Sequence, residues 1–207
     1  MRGLLVVNPN ATTTTARARE VLINALAHQF HLETITTDHR GHAAELGARA
    51  RVDRVDAVIA LGGDGTANEI VNGMLGDEGP GPDVPAFGIV PGGSANVFSR
   101  SLGFPPDPIE ATGEMIAALR QRRTRRISLG RANGRWFLCN AGLGLDAEII
   151  QAMEAARAKG KAATPTRYLA TTLRTFFRGT DRRASSLVVI APGHEPVRRV
   201  FVAIVQN

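Results

Sequence analysis

Three short stretches of this 207-residue chain combine glycine, hydroxyl and carboxylate side chains at spacings that suit phosphate chemistry. They are Gly62-Gly63-Asp64-Gly65-Thr66-Ala67-Asn68-Glu69, Pro91-Gly92-Gly93-Ser94-Ala95-Asn96 and Asn8-Pro9-Asn10-Ala11-Thr12-Thr13. Glycines let a backbone turn tightly and bring its N–H groups against an anion. A helix starting behind them adds its positive end, so phosphate is a natural ligand. Asp64 is the odd member. A carboxylate in an anion cradle repels phosphate unless it holds Mg²⁺, takes a proton from an attacking hydroxyl, or both. The bland alternative is a tight turn with Thr66 as a helix N-cap. It accounts for one such loop, but not for three at neighbouring strand ends. No Gly-x-x-x-x-Gly-Lys-Ser/Thr occurs, which excludes a Walker-type site.

Such loops need strands ahead of them and helices behind. Leu4-Leu5-Val6-Val7 reads as a strand, and Ala18, Val21, Leu22, Ala25 and Leu26 then share one helical face. A strand is predicted over 32–37 and a helix over 43–51. Residues 57–61 are continuously apolar, as a parallel strand covered on both faces should be. A helix over 67–75, a strand over 86–90, a helix from near Ala95 and another over 110–119 follow. This βαβα order predicts an α/β fold, a doubly wound domain that binds ligands outside the carboxyl ends of its strands.

Beyond residue 125 the pattern changes. Residues 126–130 and 135–140 read as a hairpin around Ala132-Asn133-Gly134, and 186–191 with 199–205 as another around Pro192-Gly193. Helical segments lie between, one carrying the basic tract 157–161 and one over 168–177. The expected domains are 1–125, α/β, and 126–207, part of a β-rich antiparallel second domain. The chain stops directly after a strand, so that second domain is expected to be truncated.

With 43% hydrophobic and 21% charged residues the composition is that of a globular chain, which excludes disorder and a coiled coil. Apolar runs such as 57–61 and 201–205 fall far short of the about 18 residues a membrane span needs. The start turns polar too soon for a signal peptide, and the single cysteine, Cys139, cannot form an internal disulfide. A cytoplasmic location and a buried, inert thiol are expected. Charge is uneven: residues 1–104 hold 8 basic and 11 acidic side chains, residues 105–207 hold 17 and 8, giving −3 and +9. A basic half of this kind meets nucleic acid, anionic lipid or phosphate.

At the glycine loops the sequence resembles a known family. Gly62-Gly63-Asp64-Gly65-Thr66 with Asn68-Glu69 and then Asn72-Gly73 is similar to the diacylglycerol kinase catalytic domain, whose family takes in bacterial lipid kinases, sphingosine kinases and ceramide kinases. Residues 91–100 resemble its second signature, Thr37 with Gly41-His42-Ala43 a third, and residues 140–146 the start of its second domain. The resemblance implies a nucleotide-binding α/β domain followed by a β-rich lipid-binding domain, with ATP in the cleft. It implies nucleotide contacts from Asn8, Pro9, Asn10, Ala11, Thr12, Thr37, Gly62, Gly63, Asp64, Gly65, Thr66, Ala67, Asn68 and Ser94. Asp64 takes the catalytic place, coordinating a metal or orienting a hydroxyl. ATP and Mg²⁺ are the implied cofactors. The implied acceptor is a lipid alcohol, diacylglycerol favoured with phosphatidic acid as product, met at an anionic membrane surface; nucleic acid is not an expected partner.

Three departures from the family pattern matter. The first loop lacks the usual Ser-Gly after Asn-Pro, Gly93-Ser94 stands for Gly-Thr, and Val97 replaces an acidic residue. Ser94 keeps the hydroxyl; Val97 carries no polar role. The acidic residues that hold a structural metal in the family, and a glutamate proposed there as general base, are expected beyond Asn207. Two readings compete. An NAD kinase also uses Gly-Gly-Asp-Gly-Thr, but its Asn-Glu pair sits in a separate downstream motif. The other is a catalytically inactive nucleotide- or lipid-binding module. Acceptor identity and oligomeric state are not legible.

Several features carry less. Gly142-x-Gly144-x-x-Ala147 matches a dinucleotide fingerprint but lacks the acidic residue that motif needs about 20 positions on. His39 and His42 lie three apart with no third ligand cluster to support zinc, so capping or solvent contact is expected. Arg120, Arg122, Arg123, Arg125 and Arg126 mark the domain junction, as a solvated helix end or a lipid-headgroup patch.

Overall fold

The computed structural model describes residues 1–11, 15–158, 165–178 and 187–206. They form two compact units, Met1–Cys139 and Asn140–Gln206. In the first, strands β1 (Arg2–Val7), β2 (His31–Thr36), β3 (Ala57–Gly62) and β4 (Ala86–Pro91) alternate with helices α1 (Ala16–Gln29), α2 (His42–Val52) and α3 (Asp64–Leu75). The strands form one parallel sheet in the order β2-β1-β3-β4. Two further helices, α4 (Val97–Ser101) and α5 (Pro108–Arg120), follow β4.

Side-chain alternation along the strands builds two cores, one on each face of the sheet. Leu4, Val6, Val58, Ala60 and Ile89 pack against Ala43 and Leu46 of α2 and Ile70 and Met74 of α3. Leu5, Val7, Ile59, Leu61 and Val90 pack against Leu22 and Leu26 of α1 and Met115 of α5. All six residues of β3 are buried, as its unbroken apolar run predicted. Helices α2 and α3 touch backbone to backbone. A Cβ on Gly73 would stand 1.9 Å from the Ala44 carbonyl oxygen, and one on Gly47 would stand 2.3 Å from that of Ile70. Gly73 therefore belongs to the scaffold under the loops rather than to the loops.

The first unit runs past the boundary expected at residue 125. Strands β5 (Gly130–Ala132) and β6 (Arg135–Phe137) form a hairpin on the two-residue turn Asn133-Gly134, both with positive φ, 49° and 79°. Its strands are shorter than the sequence suggested, because Leu129 and Leu138 leave the ladder to pack against the core. The hairpin is fastened to α3. Asn72 donates to the Trp136 carbonyl (2.9 Å) and accepts its amide (2.9 Å), and the Trp136 indole donates to Gly76 O (3.0 Å).

The second unit contains β7 (Asn140–Gly144), α6 (Leu145–Ala158), α7 (Pro165–Arg178), β8 (Leu187–Val189), β9 (Val197–Val200) and β10 (Val202–Gln206). The single strand expected over 199–205 is broken at Phe201. Its carbonyl accepts the Leu145 N–H at 3.0 Å, so β9 pairs with β8 while β10 pairs antiparallel with β7. Ser186 and residues 159–161 of the basic tract lie outside the described residues.

Candidate nucleotide site

Strand order fixes where a ligand can enter. The chain runs from β1 outward to β2, then crosses back to place β3 on the other side of β1, so the crevice between the β1 and β3 loops is the topological switch point. Register keeps the strand ends level: Val7 stands opposite Thr36 and Leu61, and Gly62 opposite Pro91.

The loops beyond these ends are bonded to one another. Asn8 Nδ2 donates to Thr66 Oγ1 at 2.8 Å, across the switch point. Asn8 Oδ1 accepts the Asn10 amide at 2.9 Å, which curls the β1 loop back on itself. Thr37 donates its backbone N–H (2.9 Å) and hydroxyl (3.4 Å) to Val7 O. Gly62, Gly63, Gly92 and Gly93 are required here by proximity rather than by dihedral angle, since none of them has positive φ. A Cβ on Gly93 would lie 2.7 Å from the Gly63 Cα, and one on Gly92 would lie 3.0 Å from the Ala11 Cβ. The β3 and β4 loops thus pack backbone on backbone.

Helix α3 begins earlier than its composition suggests. Gly63 is the N-cap and Asp64 the first helical residue, so Gly65 sits inside the first turn rather than in a loop. Glycine costs little there, where the backbone has few intrahelical bonds to stabilise. First-turn amides of an α-helix have no intrahelical acceptor, and Gly65 is exposed with nothing within 4 Å of where a Cβ would be. An anion can reach this turn directly.

Asp64 has a structural task that the sequence did not disclose. Its Oδ2 accepts the Val97 amide at 3.0 Å and its Oδ1 the Phe98 amide at 2.9 Å, so it caps α4 from the first turn of α3. Asn96 sits in the left-handed region at φ 49° and closes the loop ahead of α4. Its side chain accepts from Gly93 N (2.8 Å) and donates to Gly93 O (2.6 Å). Burial, then the charge of Asp64, pushes the Cys139 thiol up to about 11. At neutral pH Cys139 is a protonated, unreactive thiol, although half-buried rather than fully buried.

Most of the residues expected at the site converge. Asn8, Ala11, Gly62, Gly63, Thr66 and the glycines of the β4 loop are in direct contact, and Pro9 and Asn10 lie exposed at the rim. Ser94 is exposed in the β4 loop, and Asn68 is half-buried one turn into α3, its carbonyl accepting from Asn72 Nδ2 at 2.8 Å. Ala67 is different. Its methyl is fully buried in the core and its N–H bonds to Gly63 O at 3.1 Å, which leaves neither group for a ligand. Thr12 lies outside the described residues. Sequence reasoning assigned no partner to Glu69, which accepts the Gly41 amide at 3.1 Å and ties the β2–α2 loop to α3. The positive φ of Gly41, 92°, explains the glycine there.

The family model of the diacylglycerol kinase catalytic domain matches residues 2–132. The chain belongs to that family. It is 31% identical over 139 residues to a diacylglycerol kinase of Staphylococcus saprophyticus, covering 66% of this chain and 43% of the relative. To a diacylglycerol kinase of Bacillus subtilis it is 32% identical over 146 residues, covering 69% and 46%. Among solved structures, a putative diacylglycerol kinase from Bacillus anthracis superposes with a TM-score of 0.61 at 32% identity, over 70% of this chain and 50% of that one. The chain spans about half the length of the diacylglycerol kinases it matches. Membership sets aside the NAD-kinase reading. It also gives Gly63, Gly73 and Asn72 of the family motif a physical meaning, since each holds the scaffold that presents the Gly65 turn.

Proposed function

We propose that this chain carries the nucleotide half of an ATP-dependent lipid kinase, which transfers the γ-phosphoryl of ATP to a lipid hydroxyl, diacylglycerol favoured. The observation that carries the reading is the Asn8–Thr66 bond across the switch point, with the open first turn of α3 directly behind it. The triphosphate lies against the amides of that turn, with the β1 and β4 loops, including Ser94, on either side.

The donor set suits Mg²⁺ held chiefly by phosphate and water, because that ion binds through one or two carboxylates plus substrate phosphates. Asp64 is the carboxylate at hand, and each of its oxygens keeps a lone pair beyond the amide it accepts. When bound, Mg²⁺ neutralises charge on the transferring phosphate. The protein's own work is positioning: Asn8 and Thr66 set the β1 loop, and Asp64 orients the acceptor hydroxyl or a metal-bound water toward the phosphate. Unit 2 belongs to the acceptor domain in this reading.

We further infer that the acceptor is met at an anionic membrane surface. No helix among the described residues is long and apolar enough to cross a membrane. Helix α7 exposes Tyr168, Leu169, Leu173 and Phe177, and at 100° per residue Arg167 and Arg174 fall on the opposite side, with no acidic residue in the helix. The arginine run at the junction is partly spent within the protein, since Arg125 donates to Ser101 O at 3.2 Å and Arg123 stands 4.0 Å from Glu114.

The test is transfer of labelled γ-phosphate from ATP to diacylglycerol in vesicles containing anionic lipid. Labelled phosphatidic acid that disappears in Asp64→Asn supports the reading. Nucleotide binding without transfer to any lipid alcohol, in the full-length gene product, supports the inactive binding module instead.

A further inference from the structure

We propose that Asp38, His39 and His42 form a site for a divalent transition metal of the zinc, cobalt or nickel kind, separate from the nucleotide cradle. The sequence shows two histidines three apart and no third ligand. The fold supplies it from the residue next door. One ligand atom from each of the three side chains lies within 4.8 Å of the others, the one such cluster among the described residues. His42 Nδ1 stands 2.8 Å from Asp38 Oδ1, and His39 Nδ1 contacts the same oxygen. The two rings are stacked, 4.9 Å between centroids and 4° from parallel.

The orientation of the rings is what selects a metal. Glu45 Oε1 lies 3.3 Å from His39 Nε2, and in the tautomer that donates Nε2–H to it the Nδ1 lone pair faces Asp38. A carboxylate on the far nitrogen of a metal-binding histidine is the usual outer partner of such sites, fixing tautomer and raising basicity. In the tautomer whose Nδ1 accepts the Asp38 amide at 3.3 Å, His42 likewise carries its lone pair on the Asp38 side, where a metal would take the place of that long bond. Three electron-rich atoms therefore converge, and a proton or a cation must lie between them. Two imidazoles and one carboxylate are a zinc-type donor set with room for water, whereas Mg²⁺ prefers oxygen alone. Asp38 and His39 lie in the loop from Thr37 to Gly41, whose amide Glu69 holds, and His42 opens α2, so a bound metal stiffens the β2–α2 connection.

Co²⁺ titrated into the nucleotide-free protein, followed by visible absorption, tests this. Expected are ligand-field bands saturating at one equivalent, abolished by Zn²⁺ but not by millimolar Mg²⁺, and absent in His39→Ala and His42→Ala. Glu45→Gln should bind about tenfold more weakly. Circular dichroism melts of each variant confirm that the fold persists. A spectrum unchanged from aqueous Co²⁺, bands that Mg²⁺ removes, or bands that survive in the double variant His39→Ala/His42→Ala would each overturn the proposal.

Discussion

Asp64 reaches across 34 residues to Phe98, whose backbone N–H donates to its Oδ1 at 2.9 Å. With the Val97 amide on Oδ2, the carboxylate at the start of α3 caps α4. Capping fixes the carboxylate's direction and holds the β4 loop, with Ser94, beside the first turn of α3.

Asp64→Asn separates the two tasks. The amide keeps one acceptor oxygen and turns the other position into a donor that faces an amide N–H. Stability should fall by about 1–3 kcal/mol, the cost of one unsatisfied pairing, while phosphoryl transfer is lost. Urea unfolding beside the transfer assay checks both; transfer that survives would remove Asp64 from the chemistry.

Gly65 and Gly93 should respond in opposite ways. Gly65→Ala adds a methyl in open space in the first turn and should raise stability by at most about 0.5 kcal/mol, the low end of the helical glycine cost, yet weaken Mg-ATP by screening the first-turn amides. Gly93→Ala drives a methyl to 2.7 Å from the Gly63 Cα and should lower the melting temperature. Thermal melts paired with nucleotide titration distinguish them. A stabilised Gly65→Ala with undiminished nucleotide affinity would place the phosphates elsewhere.

Arg51 holds the far end of α3. Its Nη1 donates to Met74 O and Leu75 O in the last turn of α3 and to Gly79 O just beyond it, at 3.0 to 3.1 Å. Asp83 pairs with its Nε at 2.9 Å, which draws the Asp83 carboxyl below its ordinary value. Arg51→Ala should lower the urea midpoint by leaving those carbonyls without their charged donor, with no direct effect on nucleotide contacts.

The metal-free β2–α2 loop should titrate distinctively. The hydrogen bond to Asp38, then that to Glu45, raises His39 above its ordinary value of 6.5. A raised histidine contributes stability that is complete below that ordinary value and lost as pH rises through the folded-state midpoint. Ring-proton NMR should put the His39 midpoint above 6.5 in wild type and bring it down in Asp38→Asn.

Strand β3 and the parallel sheet were legible because five consecutive apolar residues between polar loops admit little else. The start of α3 was not: glycine at position 65 suggests a loop by propensity, but it is harmless in a first turn. Contacts distant in sequence were silent as well. Nothing local to Asp64 announces Val97 and Phe98, and nothing in the apolar run around Phe201 announces that the Leu145 amide will break it. The loop glycines were read as tight turns that bring amides to an anion, while the structure uses Gly63 and Gly93 for the close approach of two backbones, and Gly73, legible only as part of the family motif, for the approach of α3 to the Ala44 carbonyl. The third ligand beside His39 and His42 was visible as Asp38 but could be weighed only once the rings had directions.

Isothermal titration of Mg-ATP into the folded chain tests the central claim most directly. Saturable binding at one site is expected, weakened in Gly65→Ala and in Asn8→Ala, which removes the bond to Thr66. A folded wild-type chain that takes up no heat with Mg-ATP, at nucleotide concentrations up to the millimolar range, would contradict the account.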